Sequence, residues 1–307
     1  MDSSSWSRRR CALACATVLP LVLLVASCTP PGGAGKLPVP YSTIAGLAQV
    51  SPEGAPPGAN RWTCRPSTGR PRPVVLVHGT FMHQRNTWNA LSPLLRNEGY
   101  CVFTFNYGGP PALGFAYGIG DVRTSAEQLR AFVDRVLAET GAEQVDLVGH
   151  SQGGLISLLY LQGLGGAAPV RKVVGLAPST RGTTFFGLAT LAAMLGLDDV
   201  AALACTSCAQ QVAGSDVLDN LHAAGVVQPG VDYTVVATKL DEIVTPWQSS
   251  LLPSGPTVRN FALQDVCPLD LSGHIGVAFS PNALQLVLGA LDPGHRRAPC
   301  RIVPTVN

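Results

Sequence analysis

The sequence predicts an α/β protein with a mostly parallel, doubly wound sheet. Short apolar, β-branched runs alternate with segments whose apolar residues recur at helical spacing, which is the pattern of strands joined by crossover helices. The runs are apolar at consecutive positions, as expected for strands buried on both faces. Hydrophobic residues make up 46% of the 307 residues, so the chain can build one large core.

The predicted strands and helices alternate along most of the chain. The strands are residues 74–77, 101–105, 144–148, 172–176, 233–238 and 258–263. The helices are residues 88–95, 122–137, 155–161, 217–224 and 282–291. Ser125 and Gln128 stand three residues apart, as in a capping box, which suggests that Ser125 caps the second helix.

Residues 1–28 have the three parts of an export signal. Three arginines at 8–10 are followed by an apolar run at 11–26, which contains Pro20 and is short for a bilayer span of about 20 residues. The run ends in Val-Ala-Ser-Cys28, which resembles a bacterial lipobox. We expect an exported protein, either a cell-surface lipoprotein anchored to the membrane through a lipidated Cys28 or a secreted protein. The alternatives are ordinary cleavage nearby and an uncleaved anchor.

Composition divides the remaining chain into regions. Residues 29–60 are rich in Pro and Gly and predict a linker and lead-in. Residues 61–304 predict one folded domain with an inserted helical cap at about 181–214. The cap segment is apolar but lacks strand-like runs. It either shapes an apolar pocket or is an ordinary pair of packing helices.

The charge balance excludes one class of partner. The chain has 21 basic and 19 acidic residues, of which residues 1–27 hold three and one. The rest is therefore neutral, without the basic stripe that nucleic-acid binding requires.

Six cysteines remain once the signal and Cys28 are set aside. An even number in an exported chain suggests disulfides, of which six cysteines allow 15 pairings. We expect nearest neighbours to pair: Cys64 with Cys101, Cys205 with Cys208, and Cys267 with Cys300. A zinc site at Cys205 and Cys208 is the alternative, but no second pair of ligands completes it.

Residues 149–153 read Gly-His-Ser-Gln-Gly and fit the G-x-S-x-G nucleophile elbow. A buried strand precedes the motif and an apolar helix follows it, which is the context that an elbow needs. Ser151 is therefore the candidate nucleophile. The first backbone N–H groups of that helix favour a developing negative charge, so Gln152 is one candidate oxyanion donor and Thr80, in the loop after the first strand, is the other. His78 precedes Ser151 and is interpreted as structural.

The base and the acid should follow the nucleophile in the order acid, then histidine. His274 lies in a glycine-flanked loop between the last strand and the last helix, whereas His222 lies in a helix and His295 in an Arg-rich tail. His274 is therefore the candidate base. Asp241 follows the strand at 233–238 and is the candidate acid. The alternatives for the acid, by the same position, are Glu242 and Asp265.

The chain resembles the class 2 bacterial lipases, a family of small α/β-hydrolases. The likeness covers about residues 60–300 and rests on the segments 77–80, 149–154, 238–246 and 274–276. The resemblance implies an α/β-hydrolase fold with Ser151, Asp241 and His274 as catalytic residues. It also implies that the backbone N–H groups of Thr80 and Gln152 form the oxyanion hole.

These observations predict a serine hydrolase of carboxylic esters, with a lipid or small ester as substrate. We expect no metal, no organic cofactor and a monomeric protein. One alternative is an acyltransferase on the same fold, in which an alcohol replaces water. Another is a catalytically inactive binding protein of the cell surface. A peptidase or amidase is a weaker third option.

Overall fold

The computed structural model describes residues 35–109, 116–184, 187 and 205–305. Lys36–Asn307 form one compact unit, and Met1–Gly35 form a second, of which only Gly35 is described. The predicted export signal with Cys28, and most of the predicted cap at 181–214, lie outside the described residues. In the part that is described, no helix is long and apolar enough to cross a membrane.

Six strands form one sheet in the described part of the chain. They are β1 (Val74–Val77), β2 (Val102–Thr104), β3 (Val145–His150), β4 (Val170–Leu176), β5 (Asp232–Ala237) and β6 (Val258–Ala262). Their order across the sheet is β2-β1-β3-β4-β5-β6, and every neighbouring pair is parallel. The sequence predicted each strand to within two residues, and the predicted α/β class is confirmed.

Helices precede, connect and follow these strands along the chain. They are α1 (Thr43–Leu47), α2 (Gln84–Thr87), α3 (Leu91–Asn97), α4 (Val122–Thr140), α5 (Gln152–Gly163), α6 (Thr206–Gln210), α7 (Asp216–Ala223), α8 (Leu263–Val266) and α9 (Pro281–Leu291), with 3-10 turns at Trp247–Ser250 and Gly276–Ala278. Alternate residues of β1 enter two different cores. Val74 and Leu76 pack in the cluster that contains α9, whereas Val75 and Val77 pack in the cluster that contains α4 and α5. Burial on both faces explains the continuous apolar runs.

Two helix predictions were wrong in detail. Only the later part of the helix predicted at 88–95 is helical: α3 begins at Leu91, with Pro93 in its first turn, and the separate α2 ends at Thr87. A continuous helix would need an N–H at position 93, which proline lacks. Helix α4 is capped by Asp121, whose side chain accepts from the N–H groups of Arg123 and Thr124. Ser125 lies inside the helix and donates to the Asp121 carbonyl oxygen.

Residues 36–60, predicted as part of a linker, belong to the compact unit. The Asn97 side chain bonds both the N–H and the carbonyl oxygen of Leu37, at 2.8 and 2.9 Å. The Asn60 side chain bonds Thr104 of β2 in the same two-fold way. A Pro- and Gly-rich composition predicts a lack of regular elements, but it does not reveal such long-range side-chain bonds.

The six described cysteines form three disulfides. Cys64 is joined to Cys101, Cys205 to Cys208, and Cys267 to Cys300, as the nearest-neighbour prediction expected. Because Cys205 and Cys208 are bonded to each other, neither is available as a zinc ligand.

The described ends of the predicted cap lie side by side. Thr183 donates its N–H to the carbonyl oxygen of Gln211 at 2.9 Å and accepts from the N–H of Ala213 at 3.0 Å. The Thr183 hydroxyl also bonds the carbonyl oxygen of Ile243. We call this pairing of Thr183 with residues 211–213 the cap stem.

Candidate active site

The candidate site lies where the strand order changes direction. The chain goes from β1 outward to β2 and then returns to place β3 on the other side of β1. Loops leaving the carboxyl ends of β1 and β3 therefore diverge and leave a crevice between them, which is where α/β sheets bind ligands. Thr80 is in the loop after β1, and Ser151 directly follows β3.

Ser151 occupies a strained turn between β3 and α5. Its φ is 54° and its ψ is −122°, a conformation that costs a non-glycine residue energy and concentrates at functional sites. The flanking glycines make the turn possible. A Cβ on Gly149 would come within 2.5 Å of the Gly153 backbone, and one on Gly153 would overlap the carbonyl oxygen of Val77. The spacing of the motif is therefore a steric requirement of this turn.

His274 and Asp241 are bonded to each other in the interior. The His274 Nδ1 lies 3.0 Å from the Asp241 Oδ2, and both side chains are almost fully buried. The other oxygen, Oδ1, accepts from the N–H groups of Ile243 and Val244 at 2.9 and 2.7 Å. A carboxylate oxygen accepts, so Nδ1 carries the proton. The Nε2 of His274 is then a lone-pair acceptor, and it has no hydrogen-bond partner among the described residues.

The surroundings of His274 have opposing effects on its pKa. Burial lowers the pKa, but the charge of Asp241, the hydrogen bond to Asp241 and the charge of Glu242 together outweigh burial. The pKa of His274 is therefore raised above its usual value of 6.5. The carboxylates of Asp241 and Glu242 therefore stabilise the protonated form of His274.

The rival candidates lie in other places. Glu242 accepts from the backbone N–H of His274 at 3.0 Å and so holds the loop rather than the ring. Asp265 forms an ion pair with Lys239. The ring of His222 bonds the carbonyl oxygen of Thr180. The Nε2 of His295, the remaining rival, lies 2.8 Å from the Gln285 Oε1 and is hydrogen-bonded to it. The structure thus brings Asp241 alone among the candidate acids to the His274 ring.

Thr80 and Gln152 meet across the crevice. The Gln152 amide donates to the Thr80 hydroxyl oxygen at 3.0 Å and to the carbonyl oxygen of Gly118 at 2.9 Å. A second amide, that of Gln211, donates to the same hydroxyl oxygen at 2.9 Å. With both of its lone pairs occupied, the Thr80 oxygen can only donate its own proton. Gln152 is also the first residue of α5, where a backbone N–H has no intrahelical acceptor.

His78 packs as a structural residue. Its ring stacks on Tyr107 at a centroid distance of 4.2 Å, and the Tyr107 hydroxyl donates to the His78 carbonyl oxygen at 2.6 Å. Burial lowers the pKa of His78 to about 3, so the ring is neutral near pH 7. These contacts agree with the structural interpretation of His78.

Gln211 is a residue of the candidate site that the sequence does not indicate. This side chain is buried, donates to Thr80 and accepts from the Ser179 hydroxyl at 2.9 Å. It comes from the end of α6, 60 positions after Ser151 in the sequence. No motif or periodicity marks it, and only its place in the fold reveals it.

The parallel sheet and the serine turn at its crevice define an α/β-hydrolase fold. Solved structures that share this fold include two lipases. Aspergillus fumigatus lipase B superimposes with a TM-score of 0.61 and 22% identity, covering 80% of this chain and 57% of its own. Mature Bacillus licheniformis lipase BlEst2 gives a TM-score of 0.54 and 16% identity, covering 78% of this chain and 99% of its own. At such identities the likeness shows the fold alone.

The chain belongs to the class 2 lipase family, because the sequence model of that family, Lipase (class 2), matches residues 71–286. Triacylglycerol lipases of Pseudarthrobacter phenanthrenivorans and Burkholderia plantarii are each 40% identical to it over 90 residues. These matches cover 28% of this chain and 26% and 24% of the two relatives. The chain therefore spans about a quarter of the length of the curated relatives that it matches.

Proposed function

We propose that this protein is an exported serine esterase that hydrolyses lipid acyl esters. The observation that carries the proposal is the buried Asp241–His274 pair, which leaves the unprotonated Nε2 of His274 free in a fold whose elbow presents Ser151. Family membership supports ester hydrolysis, and the names of the two curated relatives support an acylglycerol as the substrate.

The proposed reaction has two halves. The His274 Nε2 takes the Ser151 proton while the Ser151 Oγ attacks the ester carbonyl carbon. The negative charge on the carbonyl oxygen is stabilised by the backbone N–H groups of Thr80 and Gln152 and by the Thr80 hydroxyl. His274 then protonates the leaving alkoxide, and an acyl-enzyme forms. Water, deprotonated by His274, attacks the acyl carbonyl carbon; the bond to the Ser151 Oγ breaks, His274 returns the proton to that oxygen, and the carboxylic acid is released.

Asp241 has an electrostatic role in this scheme. Its negative charge stabilises the imidazolium that forms when His274 accepts the Ser151 proton. The two backbone N–H groups on Oδ1 fix the carboxylate, so Oδ2 stays aimed at Nδ1. The protonated Nδ1 in turn keeps the lone pair on Nε2.

The first test is hydrolysis of p-nitrophenyl esters of increasing chain length by the full chain and by Ser151→Ala. Removing the nucleophile should lower kcat on the order of a millionfold, with the circular dichroism spectrum retained. Hydrolysis that survives in Ser151→Ala would refute the role of Ser151. A preference for short chains would restrict the substrate to small esters.

The same preparations separate the two alternatives. Added alcohol should not divert the acyl group from water, and dominant ester exchange would favour an acyltransferase. A fluorophosphonate should label the wild type and not Ser151→Ala. An unlabelled wild type would favour an inactive binding protein.

Export and lipidation form a separate part of the proposal. The three disulfides of the described residues are compatible with an oxidising compartment. Metabolic labelling with a palmitate analogue should mark the wild type and fail in Cys28→Ala. Equal labelling of both would refute lipidation at Cys28.

A further inference from the structure

His150 lies between the loop that carries Gly79 and Thr80 and the loop that carries His274. It is the last residue of β3, directly before Ser151, and its side chain is buried. Its Nε2 lies 2.9 Å from the backbone carbonyl oxygen of His274, and the two rings are 5.0 Å apart between centroids. On the other side, a Cβ at Gly79 would lie only 3.1 Å from the His150 Nδ1.

The bond to His274 fixes the protonation of His150. A carbonyl oxygen only accepts, so Nε2 carries the proton and donates it. Burial lowers the pKa of His150 to about 3, and the proximity of His274 lowers it as well. The ring is therefore neutral at neutral pH, and its Nδ1 is unprotonated. That nitrogen has no hydrogen-bond partner among the described residues.

The backbone of His274 is held at both of its polar atoms. Glu242 accepts from the N–H at 3.0 Å, and His150 donates to the carbonyl oxygen at 2.9 Å. Asp241 fixes the ring through Nδ1. With these three bonds in place, the position of the remaining ring nitrogen, Nε2, is determined.

We propose that His150 is a positioning residue that holds the base loop against the nucleophile elbow through its hydrogen bond to the His274 carbonyl oxygen. The expected effect of His150 on turnover rests on the proposed function. His150 does not serve as a second base, because its one proton points to His274 and its low pKa makes it a weak acceptor. A phenylalanine would keep a planar, slightly larger ring at this position without making the bond.

Three substitutions separate positioning from packing. His150→Gln keeps an amide N–H at about the distance of the histidine Nε2, whereas His150→Asn places its N–H at about the distance of Nδ1. His150→Phe has no donor. We expect kcat on a soluble p-nitrophenyl ester to fall about 100-fold in the Phe and Asn variants, as for a displacement of about 1 Å, with KM unchanged. His150→Gln should retain kcat within about threefold.

A second measurement does not depend on the substrate. The proton between His274 and Asp241 should give a low-field proton resonance in the wild type. We expect His150→Gln to retain this resonance and His150→Asn and His150→Phe to shift or lose it. This result would support the positioning role even if the wild type proved inactive on every ester, an outcome that would instead refute the proposed function.

Several results would overturn the inference. One is a His150→Phe variant that keeps the wild-type kcat and the low-field resonance. Another is an equal loss of kcat in the Gln and Asn variants, which would indicate that ring packing is what matters. If His150→Phe fails to fold, the comparison of the Gln and Asn variants, which are both polar and both smaller than histidine, still decides between the two roles.

Discussion

Replacing Asp241 by asparagine should put the proton of His274 on the wrong nitrogen. The Asp241 Oδ1 accepts from the N–H groups of Ile243 and Val244, and Oδ2 faces the His274 Nδ1. An asparagine has only one oxygen, which must remain where the two N–H groups point. Its NH2 group then faces Nδ1, which has to become the acceptor. The proton moves to Nε2, the atom that should receive the Ser151 proton.

The expected loss of rate follows from this tautomer change. In a serine protease, the same substitution of the triad acid lowers kcat about 10⁴-fold because the imidazole carries its proton on the wrong nitrogen. At about 1.4 kcal/mol for each factor of ten, the transition state loses about 5 kcal/mol of stabilisation. KM should stay the same, since Asp241 lies behind His274 and is not proposed to contact the substrate.

The assay is the hydrolysis of a soluble p-nitrophenyl ester under saturating conditions. Asp265→Asn is the matched control, because Asp265 is exposed and paired with Lys239. It should keep wild-type turnover. An Asp241→Asn enzyme within tenfold of the wild-type kcat would contradict the proposed role of Asp241. An equal loss in both variants would point to a general effect of charge.

Three further outcomes are expected. Because the pKa of His274 is raised above 6.5 and the base must be neutral, kcat/KM should fall as the pH drops through a value above 6.5; an acidic limb below 6.5 would contradict this expectation. The free energy of unfolding should change in the opposite direction: the stability gained from protonated His274 is complete below 6.5 and is lost as the pH rises through the raised pKa. Gln211→Leu should lower kcat about tenfold, less than the loss of an oxyanion donor itself, because one of the two bonds that orient the Thr80 hydroxyl disappears; an unchanged kcat in the ester assay would contradict it. Replacing Cys64 and Cys101 by alanine should lower the free energy of unfolding by roughly 4 kcal/mol, because the disulfide joins positions 37 residues apart and restricts the unfolded chain. An unchanged midpoint of urea unfolding would refute this prediction.

The parts of the structure that the sequence predicted are those with a local signal. The strands are buried on both faces, so each one leaves a continuous apolar run. The glycines beside Ser151 are imposed by contacts within the elbow and with β1, and so the motif is visible in the sequence. His274 and Asp241 could be selected because chain order and strand ends restrict the candidates. Their catalytic roles stay predictions.

The missed features depend on contacts between distant segments. Gln211 and Thr80 are 131 positions apart, and neither position carries a pattern that points to the other. The bond from His150 to the carbonyl oxygen of His274 spans 124 positions. The cap of α4 was misassigned because Asp121 and Ser125 are both residues that favour helix starts. Local sequence offers two solutions there, and only the packed chain selects one.

The cap stem has a consequence for how the length of the segment that it closes can vary. The pairing of Thr183 with residues 211–213 closes the chain at a single point, and Gln211 in that pairing also holds Thr80. Doubling the length of a closed loop costs only about 0.6 kcal/mol. Insertions or deletions between residues 187 and 205 should therefore change the free energy of folding little, as long as the pairing of the cap stem and the bond from Gln211 to Thr80 are kept.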